Sequence, residues 1–241
     1  MKIYHYTSIE TLVLILKNRT IRFSKLTKVD DPEEYSLFNC GFNPAEYEFV
    51  SCWTRNEFES IPQWLMYGNK KHGVRIALDE DMFEIKSDVV GPRLLSTKEL
   101  EGRKYELMPI IDNKILFDIN YVENIQCYID SFFRDEGECK TLDFAKVGIY
   151  KRRDWEFQKE CRFIFHAMPK RIDEKTLKTT LVFGYKYPLD VDFIDIPIKR
   201  SAFEKMEVML GPEVSEAEST IVEVLCQKYL GNNRVRKSIF Y

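Results

Sequence analysis

The run Glu160-Cys161-Arg162-Phe163-Ile164-Phe165-His166 constrains this chain more than any other segment. Side chains in a strand alternate between faces, so Cys161, Phe163 and Phe165 share one face while Glu160, Arg162, Ile164 and His166 share the other. Such a strand covers an apolar face and brings a carboxylate and a guanidinium together on the less apolar one. Two readings follow: a cross-strand ion pair on a solvated face, worth only ~0–1 kcal/mol, or the charged wall of a pocket.

The rest of the pattern is made of short strands with few long helices, which favours an α+β fold over a doubly wound sheet. Ile3 to Tyr6 reads as a strand. Thr7-Ser8-Ile9-Glu10 fits a capping box with Thr7 as the cap, and Ile9, Leu12, Val13 and Leu16 follow at helical spacing up to Asn18-Arg19. Ile21 to Ser24 and Glu48 to Thr54 read as strands, separated by a turn-rich active-site or lid loop over Thr27 to Pro44. Ile61 to Tyr67 reads as a short helix with Pro62 in its first turn, and Gly73 to Leu78 as a strand. Ile119, Val122, Ile125, Ile129 and Phe132 recur at helical intervals, so Asp118 to Phe133 is expected to be a helix within a helical insertion near 98–146. Later strands are expected at 180–183, 192–196 and 205–210. Ser215 caps a final helix through Tyr229 that closes at Gly231. With no repeat and no linker, residues 1–241 are expected to form one domain.

The composition is 44% hydrophobic and 14% aromatic, enough for a sizeable core, and the formal charge of −3 gives no global attraction to nucleic acid or anionic lipid. Lys151-Arg152-Arg153, and Arg234 with Arg236 and Lys237, read as solvated faces. The six cysteines lack a close Cys-x-x-Cys pair and the three histidines are dispersed, which argues against a structural zinc site and for reduced thiols. The start lacks an apolar signal core, and no window approaches the ~18 apolar residues of a membrane span. The expectation is a cytoplasmic protein with no membrane partner.

Six motifs, taken in order, resemble a bacterial family of uncharacterised domains. They are Tyr4-His5-Tyr6-Thr7, Asp30-Asp31-Pro32-Glu33-Glu34, Ser51-Cys52-Trp53, Trp64-Leu65-Met66-Tyr67, Lys71-His72-Gly73-Val74 and Gln158-Lys159-Glu160-Cys161-Arg162. The chain departs from the family pattern at Asp30, where Asn is usual, and at Gln158, where Glu is usual, so Gln158 is given no catalytic task. That family in turn resembles the His-Tyr-Glu branch of the ADP-ribosyltransferase superfamily. The resemblance implies a mixed, mostly antiparallel split sheet with flanking helices and a cleft for NAD. It gives Glu160 the catalytic role and places His5 on the nicotinamide-side ribose of NAD, with Trp53, Trp64 and Tyr67 competing to stack on nicotinamide. Tyr6 and Thr7 beside His5 are further candidate NAD contacts, and Arg162, on the Glu160 face, could bind a phosphate of NAD or hold the carboxylate ionised.

The residue types suit that chemistry. Cleaving the glycosidic bond of NAD expels neutral nicotinamide and leaves positive charge on the ribose, which a carboxylate stabilises. An imidazole offers a donor and an acceptor to hydroxyls, and an aromatic face offers stacking. Plainer readings stand beside these: His5 as a hydrogen-bonded core-edge histidine, Thr7 as a helix cap, the three aromatics as core, and Asp30 to Glu34 as turn and cap rather than a cation site. His72 and His166 are rivals ranked below His5. The resulting expectation is an NAD-dependent ADP-ribosyltransferase acting on a protein or nucleic-acid acceptor, as a toxin or phage-defence effector with an antitoxin as partner. The alternatives are an NAD glycohydrolase, and a non-catalytic nucleotide- or nucleic-acid-binding module that uses Lys151-Arg152-Arg153.

Overall fold

The computed structural model describes residues 1–37, 43–135, 140–172, 179–181, 189–231 and 235–241. The chain is a mixed α+β structure with a mostly antiparallel sheet and a few helices. Its strands are β1 (Lys2–Thr7), β2 (Thr20–Lys25), β3 (Glu48–Thr54), β4 (Val74–Asp79), β5 (Tyr105–Leu107), β6 (Leu116–Asp118), β7 (Asn120–Val122), β8 (Phe133–Asp135), β9 (Lys140–Leu142), β10 (Tyr150–Arg152), β11 (Glu160–Ile172), β12 (Thr179–Leu181), β13 (Phe193–Pro197), β14 (Glu207–Leu210) and β15 (Val235–Lys237). The helices are α1 (Ile9–Asn18), α2 (Ile61–Met66), α3 (Gln126–Ile129), α4 (Arg200–Phe203) and α5 (Glu216–Leu230). None of the described helices is long and apolar enough to cross a membrane.

The main sheet runs β12-β11-β3-β1-β4-β14-β15, with only β14 and β15 parallel, while β2 joins β3 and β13, and β5 and β6 add to β11. One junction in it matters most. β3 meets β1 at a single register pair, Tyr4 with Thr54, and meets β2 only further along, at Val50 and Phe49. Between those contacts, Ser51 to Trp53 of β3 face a gap where β1 and β2 have parted. On its other edge β3 pairs with β11 over seven positions, from Glu160 opposite Thr54 to His166 opposite Glu48. The sheet is therefore rigid behind the gap and open in front of it.

The alternation of β11 sorts its side chains as its sequence requires. Cys161, Phe163 and Phe165 enter the larger apolar core beside Phe23, Phe49 and Trp53, and burying each ring contributes ~1.5–3 kcal/mol. Ile164 points to a smaller core with Leu26, Val50, Ile129 and Phe132. Glu160 and Arg162 lie on that second face at 6% and 0% exposure, which excludes the solvated-face reading.

Four expectations are corrected. Asp118 to Phe133 is not a helix: it holds the ends of β6 and β8, all of β7, and two single helical turns. The Ile119 amide donates to the Glu160 carbonyl at 3.1 Å and the Asn120 amide to the Ile149 carbonyl at 2.8 Å, so pairing with neighbouring strands displaces the intrahelical bonds. Ile125, Ile129 and Phe132 are buried as their spacing implies, on two consecutive turns that start from Ile125. Accordingly, the described residues of 98–146 are mostly short strands and turns rather than a helical insertion. The first helix is capped one residue later than read: Ser8, not Thr7, accepts from the Thr11 amide at 3.2 Å, while Thr7 remains in β1 opposite Val74. Lys151 is no solvated residue, as shown below. The final helix keeps its Ser215–Glu218 capping box and its left-handed Gly231. Residues 182 and 183 of the expected strand at 180–183, and Arg234, lie outside the described residues.

Candidate functional site

A cavity of about 250 Å³ occupies the gap between β1 and β3. β1 contributes Tyr4, His5 and Tyr6, β3 contributes Cys52 and Trp53, β11 contributes Glu160 and Arg162, and α2 closes one side with Tyr67. His5 and Glu160, 155 positions apart in the chain, thus line one pocket. Thr7 and Trp64 do not line it: Thr7 is buried in the ladder, and Trp64 packs edge-on to Tyr6 with its indole N–H donated to Glu59. His72 is exposed near Glu213, and His166 is tied to Glu48 midway along β11, beyond the reach of the pocket.

His5 bridges β1 and β3 across the gap. Its Nδ1 lies 2.8 Å from the Cys52 carbonyl oxygen, which can only accept, so Nδ1 carries the proton and Nε2 keeps a lone pair. Burial lowers the imidazole pKa below its ordinary 6.5 against the opposing pull of that carbonyl, which keeps the ring neutral at pH 7. Trp53 packs on it with ring centres 5.1 Å apart and donates its own N–H to the Ser51 hydroxyl at 3.0 Å.

Glu160 belongs to a closed ring of four buried charges. Its Oε2 accepts from Lys151 at 2.9 Å and its Oε1 from Arg162 Nε at 2.8 Å. Arg162 Nη1 donates to Glu34 at 2.7 Å, and Lys151 stands 3.3 Å from the other oxygen of Glu34. Two cations and two anions cancel, so four ionised groups lie in the interior without net charge, the arrangement that buried ions require. Burial alone raises the Glu160 pKa, but Arg162 and then Lys151 outweigh it and hold the carboxyl at about 2. Lys151 is likewise penalised by burial yet raised overall by Glu160 and Glu34. The carboxylate is fixed from behind by Lys151 and by both Nε and Nη2 of Arg162, and the Cys52 thiol on the pocket side also hydrogen-bonds to it.

Backbone geometry sets this carboxylate at the end of its strand. Lys159 adopts a left-handed conformation (φ 44°) after the turn Arg153–Gln158, a strained choice for a residue other than glycine, and the next residue, Glu160, begins β11. The Glu160 amide donates to the Tyr121 hydroxyl at 2.8 Å. Gln158, buried beside it, accepts from Lys151 at 2.8 Å and donates to the Tyr67 hydroxyl at 2.7 Å, and that hydroxyl donates to Asp30 at 2.8 Å. Burial and the Asp30 contact push the Tyr67 pKa up, so the phenol stays protonated. Tyr67 is thereby clamped across the pocket between α2 and the loop before Pro32.

Sequence reasoning gave no role here to Glu34, Lys151, Gln158 or Cys52. Asp31 does cap the turn Pro32–Glu34, and it also pairs with Arg152 at 3.2 Å. Among the described residues no group of His, Cys, Asp and Glu could hold a metal ion. The Cys52 thiol faces the pocket, but burial drives its pKa upward, so it is not a nucleophile at neutral pH. Comparison with protein-family models, with curated proteins and with solved structures finds no match.

Proposed function

We propose that this chain is an NAD-dependent ADP-ribosyltransferase of the His-Tyr-Glu type, with an ADP-ribosyltransferase-like split sheet, that binds the nicotinamide half of NAD in the cavity between β1 and β3. The observation that carries the reading is the meeting of His5 and an ionised, rigidly held Glu160 in one partly apolar pocket. At about 250 Å³ the cavity lies just under the ~300 Å³ at which ligand pockets begin, which suits a nicotinamide riboside unit with the adenylate half outside.

In this reading His5 Nε2 accepts from a ribose hydroxyl, and the ring of Tyr67 stacks on nicotinamide. Tyr67 is favoured over Trp53, whose ring is already covered by His5 and by the edge of Phe163. The C1′–N bond breaks with both electrons leaving on nicotinamide. Positive charge grows on the ribose, facing the Glu160 carboxylate, and the acceptor's nucleophile then bonds to C1′ and gives up its proton. Because Glu160 is preorganised by Lys151 and Arg162, it meets that charge without reorganising, which is where electrostatic catalysis gains most. Arg162, fully committed to Glu34 and Glu160, acts as a positioning residue rather than as a phosphate ligand.

The acceptor is proposed to be a macromolecule, in keeping with a toxin or defence effector. The non-catalytic module loses its basic run, since Lys151 is buried and Arg152 is paired with Asp31. The test is to incubate the protein with NAD labelled in its adenylate half and a cell extract, and to follow nicotinamide release and label transfer. Release with transfer supports the reading, release with only free ADP-ribose assigns a glycohydrolase, and neither, with no NAD binding, overturns it.

A further inference from the structure

A second cavity of about 440 Å³ opens on the face of the sheet formed by β1, β4, β14 and β15. Register places Tyr6, Arg75, Met209 and Arg236 in one row across these four strands, with Tyr4, Ala77 and Glu207 in the next row, and all seven side chains fall on one face. Arg75 is 6% exposed. One of its nitrogens donates to the Glu57 carbonyl at 3.0 Å and approaches the Tyr6 hydroxyl at 3.5 Å, and its guanidinium lies 4.5 Å from the Tyr4 ring centre. Among the described residues no carboxylate pairs with it. Glu207 is taken by Lys2, and Glu57 is exposed at the rim.

This contrasts with the four-charge ring, where each buried cation has a buried anion. A guanidinium cannot shed its proton, and a cation–π contact offsets only a minor part of what desolvating a buried ion costs. A bound anion would supply the missing negative charge. Arg236 stands two strand spacings away, about 10 Å between backbones, exposed and without an ion-pair partner among the described residues, so both guanidinium groups can reach one tetrahedral oxyanion. The apolar side of the cavity, from Phe58 and Met209, leaves room for a group attached to that anion.

We infer that this groove is a second ligand site that binds a phosphate group through Arg75 and Arg236. It shares Tyr4 with the first cavity, so the two sites are neighbours through one side chain. The inference does not depend on the NAD reading.

Calorimetric titration of the whole chain with inorganic phosphate and with AMP, at constant ionic strength, tests it. Saturable one-to-one binding is expected, weakened ~10-fold or more in Arg236→Gln, lost in Arg75→Met, and kept in Tyr67→Ala, which alters only the first cavity. Tighter binding of AMP than of phosphate assigns a nucleotide, and equal binding assigns the bare anion; both support the site. Arg236 is exposed, so its variant reports on binding even if Arg75→Met does not fold. Absence of binding by the wild-type chain, identical affinity in Arg236→Gln, or loss in Tyr67→Ala alone would overturn the proposal.

Discussion

Lys151→Met is the sharpest perturbation of the buried ring. Lys151 Nζ makes three polar contacts, to Glu160, Glu34 and Gln158, and the side chain is 4% exposed. Met fills similar volume but carries no charge, leaving Glu34, Glu160 and Arg162 buried with a net charge of −1. Breaking a buried pair in this way costs ~3–5 kcal/mol. For a chain of 241 residues each kcal/mol moves the melting temperature by ~2 °C, so the expected fall is ~6–10 °C. The sign with pH is also fixed. The uncompensated carboxyl in the variant has a raised folded-state pKa, so its penalty grows as pH rises above the ordinary value near 4.5 and shrinks below it. Thermal and urea unfolding at pH 7 and pH 4 measure both effects. Adding Glu34→Gln removes the matching negative charge and should recover at least half of the loss, although the partners are coupled and not additive. A Lys151→Met chain within ~0.5 kcal/mol of wild type, as expected of an ordinary surface site, would refute the ring.

Three further outcomes follow from the same geometry. Glu160→Gln should slow nicotinamide release by ~10²–10³-fold, measured below the lowered melting point that its unpaired cations will cause; a change under threefold removes Glu160 from the chemistry. With Glu160 at about 2 and His5 below 6.5, neither group should give a limb to the rate profile between pH 6.5 and 8, and Glu160 should contribute none down to pH 4; a limb near 4.5 that vanishes in Glu160→Gln would contradict the assigned ionisation. Stability contributed by Glu160 is present above pH 4.5 and lost on acidification toward 2. That of neutral His5 falls as pH drops through 6.5, because the unfolded chain takes the proton first. Arg153→Ala, on a side chain 61% exposed in the same basic run, should change stability by no more than ~0.5 kcal/mol in urea unfolding, and a larger loss would undo the contrast with Lys151.

The strands around the cavity were legible because period-two patterns act locally: β1, β2, β3, β4 and β11 follow from alternation in segments four to seven residues long. The helix expected over Asp118 to Phe133 shows where that stops. Its apolar spacing records burial correctly, but the choice between helix and strand was made by carbonyls of β11 and of Ile149, far away in sequence. Charge was misread for a related reason. Lys151 to Arg153 looks like a solvated run and Asp30 to Glu34 like a turn and cap, and only their meeting in space lets Lys151, Asp31 and Glu34 be buried. The presence of one acidic and one basic run of similar size was the available signal. Gln158 was set aside for differing from the family pattern, yet its amide links Lys151 to Tyr67. The groove at Arg75 left no mark at all, since an isolated arginine in a strand carries no trace of a missing counter-ion.

The most direct measurement is a calorimetric titration of the whole chain with NAD at pH 7, repeated with Tyr67→Ala and His5→Ala. Stoichiometric binding with Kd of ~1 mM or tighter, weakened in both variants, is what a nicotinamide cleft between β1 and β3 predicts. No heat from NAD at several-fold that concentration, or binding indifferent to both substitutions, would contradict it.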